Sequence, residues 1–166
     1  MNYRIILFLA ILATLSSLPR LEASFDPCDG HEAAIIVDTS NHTMLMCRNN
    51  QSQGFHRVAI GRGGVGKRAE GDEKTPIGDY DLSPPRYSAQ YCLFIPVGYP
   101  NDDQKSKGFS GGNIGIHGPH RKFLWLGKGS ADTDWTSGCI AVGTDEEIME
   151  VAQWVNDQNI TRIVIQ

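Results

Sequence analysis

The sequence predicts a mainly β domain, a sandwich or barrel-like sheet with minor α content and one clear helix near the C-terminus. Short β-prone runs recur along the chain and are separated by turns rich in glycine and proline. Strands this short and frequent favour a β-sandwich or barrel over a βαβ fold. The predicted strands are 33–37, 43–47, 55–60, 78–82, 92–97, 113–117, 123–126 and 161–165.

The predicted helix begins after Thr144 and ends near Asn159. Thr144 and Glu147 have the Thr-x-x-Glu spacing of a capping box, in which each side chain bonds the backbone N–H of the other residue. A single apolar stripe follows at helical spacing, formed by Ile148, Val151, Ala152 and Val155. This spacing indicates a helix with one buried face.

Length and charge exclude several classes of protein. A chain of 166 residues with 40% hydrophobic and 20% charged residues fits one globular domain with a real core. Its formal net charge of -4 provides no basic surface for a phosphate backbone, so we expect no nucleic-acid partner.

The first 23 residues have the layout of a secretory signal peptide. Arg4 precedes an apolar run over 5–15, and small or polar residues lead to Ala23, after which cleavage is expected. A membrane anchor is the alternative, but the run is shorter than the roughly 20 apolar residues that span a bilayer. We therefore expect an exported protein of the periplasm or cell envelope, with one domain over 24–166.

If the protein is exported, its four cysteines are in a compartment where disulfides can form. Cys28, Cys47, Cys92 and Cys139 form no CxxC pair, and cysteines tend to pair in an oxidising compartment. Three connectivities are open. If Cys139 stays reduced, one disulfide among the other three is expected. We favour Cys28 with Cys47, because a hairpin turning at 39–42 would return the chain.

The glycine cluster at 61–66 formally matches the dinucleotide pattern G-x-G-x-x-G, and Lys67 nearly completes a phosphate-binding loop. Both motifs need a helix directly after the loop. Gly71 and Pro76 interrupt any such helix, and Arg68 stands where a serine or threonine should bind magnesium. We interpret these glycines as turn residues and expect no nucleotide.

Residues 101–112 are polar and contain several glycines. This composition is typical of a connecting segment. We predict a mobile surface loop that could border a cleft.

The segment 114–142 contains the residues best suited to chemistry. His117 ends a predicted strand, and Cys139 follows Gly138. A cysteine thiol becomes a nucleophile when a base removes its proton, and histidine is the usual base near neutral pH. The N–H groups of Ser137, Gly138 and Cys139 could face a developing oxyanion. The alternative is a buried cysteine and a structural histidine.

At these residues the chain resembles the L,D-transpeptidase catalytic domain family, also called YkuD-type. The family signature is a His-Gly, a gap, and then [Ser/Thr]-x-Gly-Cys; His117-Gly118 and Thr136-Ser137-Gly138-Cys139 take those places. The segment 71–80 matches the family's Gly-Asp-x-x-Thr-Pro-x-Gly-x-Tyr. The resemblance covers roughly residues 33–165.

The resemblance implies a β-rich fold with a mixed sheet and a defined reaction. The family's cysteine attacks the carbonyl of an L-residue joined to a D-residue in a peptidoglycan stem peptide, and an amine or water resolves the acyl-enzyme. His117 would take the thiol proton and later protonate the departing amine. The residues that we expect to hold the substrate or oxyanion are Ser137, Gly138, Gly118, Thr136 and Asp134. No metal or organic cofactor is implied, and a monomer is expected.

The chain also departs from the family pattern. Ser137 replaces a frequent histidine, and Ala141 replaces an arginine that often follows the cysteine. Arg86, Arg121 and Lys122 are candidate substitutes for a carboxylate-binding arginine, and the sequence does not choose among them.

Three alternatives accompany this interpretation. A hydrolase could use the same Cys–His pair, a non-catalytic cell-wall binding protein could keep the fold, or a Cys139 disulfide could gate activity. A low thiol pKa would favour the enzyme over the binding protein.

Neighbouring residues have alternative roles as well. Asp134 could orient His117, contact the substrate amine, or simply form a turn. Trp135 is expected to pack beside the site. His120 could pair with His117 on a metal, although no carboxylate or cysteine partner is apparent and we expect no zinc.

Overall fold

A computed structural model describes residues 27–166 of the chain. The predicted signal peptide lies outside the described residues. Nine strands form one mixed, curled sheet in the order β4-β9-β1-β2-β3-β8-β7-β6-β5. The strands are β1 Ala33–Asp38, β2 Thr43–Arg48, β3 Gln51–Ala59, β4 Gly78–Asp81, β5 Arg86–Ser88, β6 Cys92–Pro96, β7 Gly115–His117, β8 Ile140–Val142 and β9 Arg162–Ile165. The predicted mainly β class is confirmed.

Two helices and one 3-10 segment complete the regular secondary structure of the described residues. These are α1 Asp102–Ser106, α2 Asp145–Asp157 and the 3-10 segment Arg121–Ala131. Helix α2 has the predicted capping box between Thr144 and Glu147, and it buries the predicted apolar stripe. Within residues 27–166, no helix is long and apolar enough to cross a membrane.

The main core lies between α2 and one face of the sheet. Ile35 and Val37 of β1 point into this core, whereas Ala34 and Ile36 belong to a second cluster on the other face. The alternation follows from the two-residue period of a strand. Each large aliphatic side chain buried in this way contributes about 1.5–3 kcal/mol to folding.

The predicted hairpin and disulfide are both confirmed. Strands β1 and β2 pair antiparallel, and Asp38 accepts hydrogen bonds from the N–H groups of Ser40 and Asn41 in the turn. The hairpin returns the chain so that Cys47 meets Cys28, with 5.3 Å between their Cα atoms. Both cysteines are fully buried in the second cluster.

The predicted strand over 123–126 is wrong. These four apolar residues lie in the 3-10 segment, and all are exposed. His120 caps the segment by accepting a hydrogen bond from the Lys122 N–H, and Gly127 bends it at a φ of 54°. Apolar, aromatic-rich composition predicted a strand, but the run shows no alternation that would bury one face.

The predicted loop over 101–112 is wrong in part, because it contains helix α1. Asn101 and Gln104 form a capping box, and the Gln104 side chain also donates to the Tyr80 hydroxyl. The Asn-x-x-Gln spacing is a helix signal that composition alone obscured.

Candidate active site

The sheet brings His117 and Cys139 to neighbouring parallel strands. His117 is the last residue of β7, and Cys139 directly precedes β8. Ile116 pairs with Ile140, so continuing this register by one residue places Cys139 beside Gly115. Both side chains line one cavity of about 860 Å³, together with Ser137 and Thr136. Gly118, Gly138 and Asp134 are not among the residues that line it.

His117 is held rigidly inside a cluster of aromatic rings. Its ring stacks on Tyr91 at 4.0 Å between centroids, with Phe94 at 6.2 Å and Trp135 at 5.6 Å. The carbonyl oxygen of Gly118 lies 2.7 Å from Nδ1. Since a carbonyl can only accept, Nδ1 carries the proton, and Nε2 of the neutral ring is left as the acceptor. This is the tautomer that a general base requires.

Burial sets the charge state of His117. The side chain is only 2% exposed. Loss of solvation lowers its pKa to about 4, against the opposing effect of the Gly118 carbonyl and with a smaller lowering by His120. The imidazole is therefore neutral at pH 7 and can accept a proton.

Cys139 is half-buried at the cavity wall. Desolvation raises the pKa of its thiol to about 11, although the Gly115 N–H and the Lys67 ammonium oppose this. Among the hydrogen bonds of residues 27–166, the thiol donates to the Asn113 carbonyl at 3.4 Å and not to His117. The resting pair at pH 7 is thus a neutral thiol and a neutral imidazole.

The loop before Cys139 is fixed by its own hydrogen bonds. The Thr136 hydroxyl donates to the Cys139 carbonyl and accepts from the Gly138 N–H. Gly138 has a φ of 122°, and a Cβ there would lie 2.5 Å from the Lys74 carbonyl oxygen. Only glycine fits this position. Because the Gly138 N–H is already bonded, the N–H groups of Ser137 and Cys139 are the better candidates for an oxyanion.

Asp134 anchors the same loop and does not bond His117. One carboxylate oxygen accepts from the Ile60 N–H at 2.9 Å, and the other lies 3.1 Å from His42 Nε2. The group that orients His117 is therefore the Gly118 carbonyl and not Asp134. Gly118 itself is required by close packing, since a Cβ there would lie 2.8 Å from the Tyr91 carbonyl oxygen.

The three candidate substitutes for a carboxylate-binding arginine differ in placement. Arg86 and Lys122 line the cavity. Arg121 instead makes a two-pronged ion pair with Asp145, at 2.6 and 3.1 Å. Ala141 is fully buried in β8.

Sequence reasoning missed several residues of this region. Tyr91 and Phe94 flank His117, and Asn113 accepts the thiol hydrogen bond. Their spacing from His117 and Cys139 in the chain carries no signal, because the contacts depend on the pairing of β7 with β6 on one side and with β8 on the other. Trp135 packs beside His117, as predicted, and donates from its indole nitrogen to the Ser130 carbonyl. Within residues 27–166, no group of three or more His, Cys, Asp or Glu side chains is placed to hold a metal.

A buried ion pair supports the loop that packs beneath Gly138. Lys67 Nζ lies 2.8 Å from Asp72 Oδ1, and the Lys67 side chain is 4% exposed. Burial alone would raise the pKa of Asp72, but hydrogen bonds from the Ala69 N–H, the Lys67 ammonium and the Arg68 N–H outweigh it and hold the pKa well below its usual range. The pair fixes the segment that formally resembled a nucleotide-binding loop.

We expect Asp72→Asn to lower the free energy of unfolding by about 3 kcal/mol at pH 7, since it leaves the Lys67 ammonium buried without a counter-charge. Urea unfolding followed by circular dichroism measures this. Asp102→Asn is the control, because Asp102 pairs with Lys105 at the surface and its loss should leave stability nearly unchanged. Equal effects of the two substitutions would contradict a structural role for the buried pair.

Comparisons with known proteins agree with this fold. The model of the L,D-transpeptidase catalytic domain (YkuD) family matches residues 32–165. Similar solved structures include the helical cell shape determining protein Pgp2 from Campylobacter jejuni, with 23% identity, a TM-score of 0.66, and 80% of this chain and 46% of that one covered.

Two further structures have the same fold. Bd1075 from Bdellovibrio bacteriovorus has 22% identity and a TM-score of 0.57, with 81% and 48% of the two chains covered. An L,D-transpeptidase from Mycobacterium smegmatis has 13% identity and a TM-score of 0.52, with 81% and 58% covered. The chain spans about half the length of these proteins, and no curated protein matches it. Since the family model matches well over half of the sequence, the chain belongs to the L,D-transpeptidase catalytic domain family.

Proposed function

We propose that this protein is an exported cysteine acyltransferase that joins peptidoglycan stem peptides by L,D-transpeptidation. The observation that carries the proposal is the placement of Cys139 and His117 at one cavity of about 860 Å³, with His117 Nδ1 bonded to the Gly118 carbonyl. That bond leaves Nε2 as the proton acceptor. The signal peptide over 1–23, the cell-envelope location and the monomeric state belong to the same proposal, as does the absence of a nucleotide.

The first half-reaction forms a thioester. The thiol leaves its hydrogen bond to Asn113 and gives its proton to His117 Nε2 while sulfur bonds the carbonyl carbon of the L-residue. The carbonyl oxygen becomes an oxyanion, which the N–H groups of Ser137 and Cys139 stabilise. The oxyanion then collapses, the C–N bond to the D-residue breaks, and His117 returns the proton to the departing amine.

The second half-reaction releases the product. An acceptor amine attacks the thioester carbonyl and gives its proton to His117. The C–S bond then breaks, and the proton passes to sulfur to restore the thiol. Water in place of the amine would yield a free acid by the same steps, so the choice between transfer and hydrolysis depends on which nucleophile reaches the acyl-enzyme.

The test is a search for the thioester. The protein is mixed with a stem tetrapeptide, quenched in acid and measured by intact-mass spectrometry, followed by peptide mapping. We expect an adduct of the peptide minus its terminal D-residue, attached at Cys139 and released on addition of a D-amino acid as a new peptide. Cys92→Ala should still form the adduct, because Cys92 does not line the cavity.

An adduct that yields only the free acid would make the protein a hydrolase. If no adduct forms and the tetrapeptide survives prolonged incubation unchanged, the proposal is wrong, and a non-catalytic binding role would be favoured.

A further inference from the structure

The charge of the cavity is opposite to that of the protein. The chain carries a formal net charge of -4. Yet the charged side chains among the cavity-lining residues are Arg86 and Lys122, and no Asp or Glu belongs to the lining. A cationic pocket on an acidic protein indicates an anionic ligand group.

Arg86 is positioned by an aromatic ring that also contacts the base. Its guanidinium carbon lies 5.0 Å from the centroid of Phe94, over the ring. Phe94 in turn lies nearly parallel to His117, at 6.2 Å and 13°. Stacking of this kind orients a guanidinium and leaves its N–H groups free at the ring edge. The guanidinium is therefore held at most about 11 Å from the imidazole.

Two cations near the site that do not line the cavity have partners within the protein. Arg121 is bonded to Asp145, and Lys67 is bonded to Asp72. Among residues 27–166, neither Arg86 nor Lys122 has a carboxylate within ion-pair distance, and of the two only Arg86 lies over an aromatic ring. Arg86 is thus a cation at the cavity whose charge the described part of the chain does not neutralise.

We propose that Arg86 binds a carboxylate of the substrate. It would thereby take the role of the arginine that often stands at the position of Ala141 in the family. This inference rests on the proposed function and specifies how that site recognises its substrate. An extended peptide covers about 3.3–3.6 Å per residue, so the distance of at most about 11 Å between the guanidinium and the imidazole corresponds to about three residues of a bound peptide. Lys122 is the second cation of the pocket and adds to its positive potential. Its ammonium lacks the planar guanidinium geometry with which an arginine bonds both oxygens of a carboxylate.

The test measures binding without turnover. Cys139→Ala protein is titrated by calorimetry with a stem tetrapeptide and with versions in which each carboxylate in turn is a carboxamide. We expect one of these amidations to weaken binding about 10- to 100-fold, the range for losing a charge-assisted hydrogen bond. In the double variant Cys139→Ala, Arg86→Gln, the same amidation should change the affinity less than twofold.

A matched control is available in the chain. Arg68 also lies over a phenylalanine ring, with its guanidinium carbon 5.6 Å from the Phe109 centroid, but it does not line the cavity. Arg68→Gln in the Cys139→Ala background should keep the full dependence on the carboxylate. Arg86→Lys should restore part of it, since the charge returns without the two-pronged geometry.

The inference is overturned if every amidation has the same effect with and without Arg86, or if no amidation affects binding. These outcomes are separate from the fate of the proposed function. Binding that depends on Arg86 without any thioester would leave the inference standing and remove the enzyme. If a thioester forms at Cys139 but binding does not depend on Arg86, the proposed function stands and the inference is wrong.

Discussion

Cys139→Ala is expected to lower kcat/KM for stem peptides by about 10⁴-fold or more, because it removes the sulfur atom that forms the thioester in the proposed mechanism. The geometry of the cavity should survive, since Cys139 is half-buried and the loop is held by Thr136 and Gly138. Product formation measured by liquid chromatography and mass spectrometry gives the ratio, and thermal unfolding checks that the variant is folded.

Cys92→Ala is the matched control for the thiol. Cys92 is the second free cysteine among residues 27–166 and is half-buried like Cys139, but it lies outside the cavity lining. Its removal should change kcat/KM less than twofold. A Cys139→Ala protein that turns over peptide at the parent rate would require another nucleophile.

His117 is expected to give the pH profile an acidic limb near pH 4. Below that pH the imidazole is protonated and cannot accept the thiol proton, so kcat/KM falls as pH falls through about 4. At pH 5 a base with this pKa is about 90% neutral, whereas a histidine with the ordinary value of about 6.5 would be about 3% neutral. We therefore expect activity at pH 5 close to its value at pH 7.

His117→Gln should reduce kcat/KM by about 10²- to 10⁴-fold and abolish the limb, because glutamine keeps a polar group but cannot take up the proton. The rate is measured from pH 3.5 to pH 10. His56→Gln is the control, since His56 is also a buried histidine and does not line the cavity. An acidic limb at pH 6.5 would contradict the effect of burial on His117.

Stability at low pH must be measured beside the rate. The folded-state pKa of His117 lies below its unfolded value, so the unfolded chain takes up the proton first. The contribution of the neutral buried ring to the free energy of unfolding is fully present above about pH 6.5. It decreases by about 3 kcal/mol in total as the pH falls to about 4. Circular dichroism at each pH separates loss of fold from loss of the base, and His117→Gln should flatten this dependence.

The raised pKa of the thiol changes how a reactivity assay is interpreted. From sequence, a low thiol pKa was the expected mark of an enzyme. In the structure, burial raises the pKa of Cys139 to about 11, so the free thiolate is scarce at neutral pH. Slow alkylation is therefore compatible with catalysis in which His117 removes the proton as sulfur attacks.

Sequence alone determined the features that depend on local patterns. The sequence predicts the capping box and apolar stripe of α2 and the hairpin of β1 and β2, because a turn or helix is specified by neighbouring residues. The hairpin favoured Cys28 with Cys47 among three open connectivities, and the structure has this disulfide. The motif residues at 117–118 and 136–139 carry the resemblance to the family to which the chain belongs.

Tertiary structure decided the properties that depend on residues distant in the chain. It stacked His117 on Tyr91, paired Asp134 with His42 and Arg121 with Asp145, and left Arg86 at the cavity. These contacts arise from strand pairing and loop packing, which local patterns do not specify. Desolvation likewise depends on everything packed around a group, so the directions in which the pKa values of Cys139 and His117 shift are set only in the folded protein.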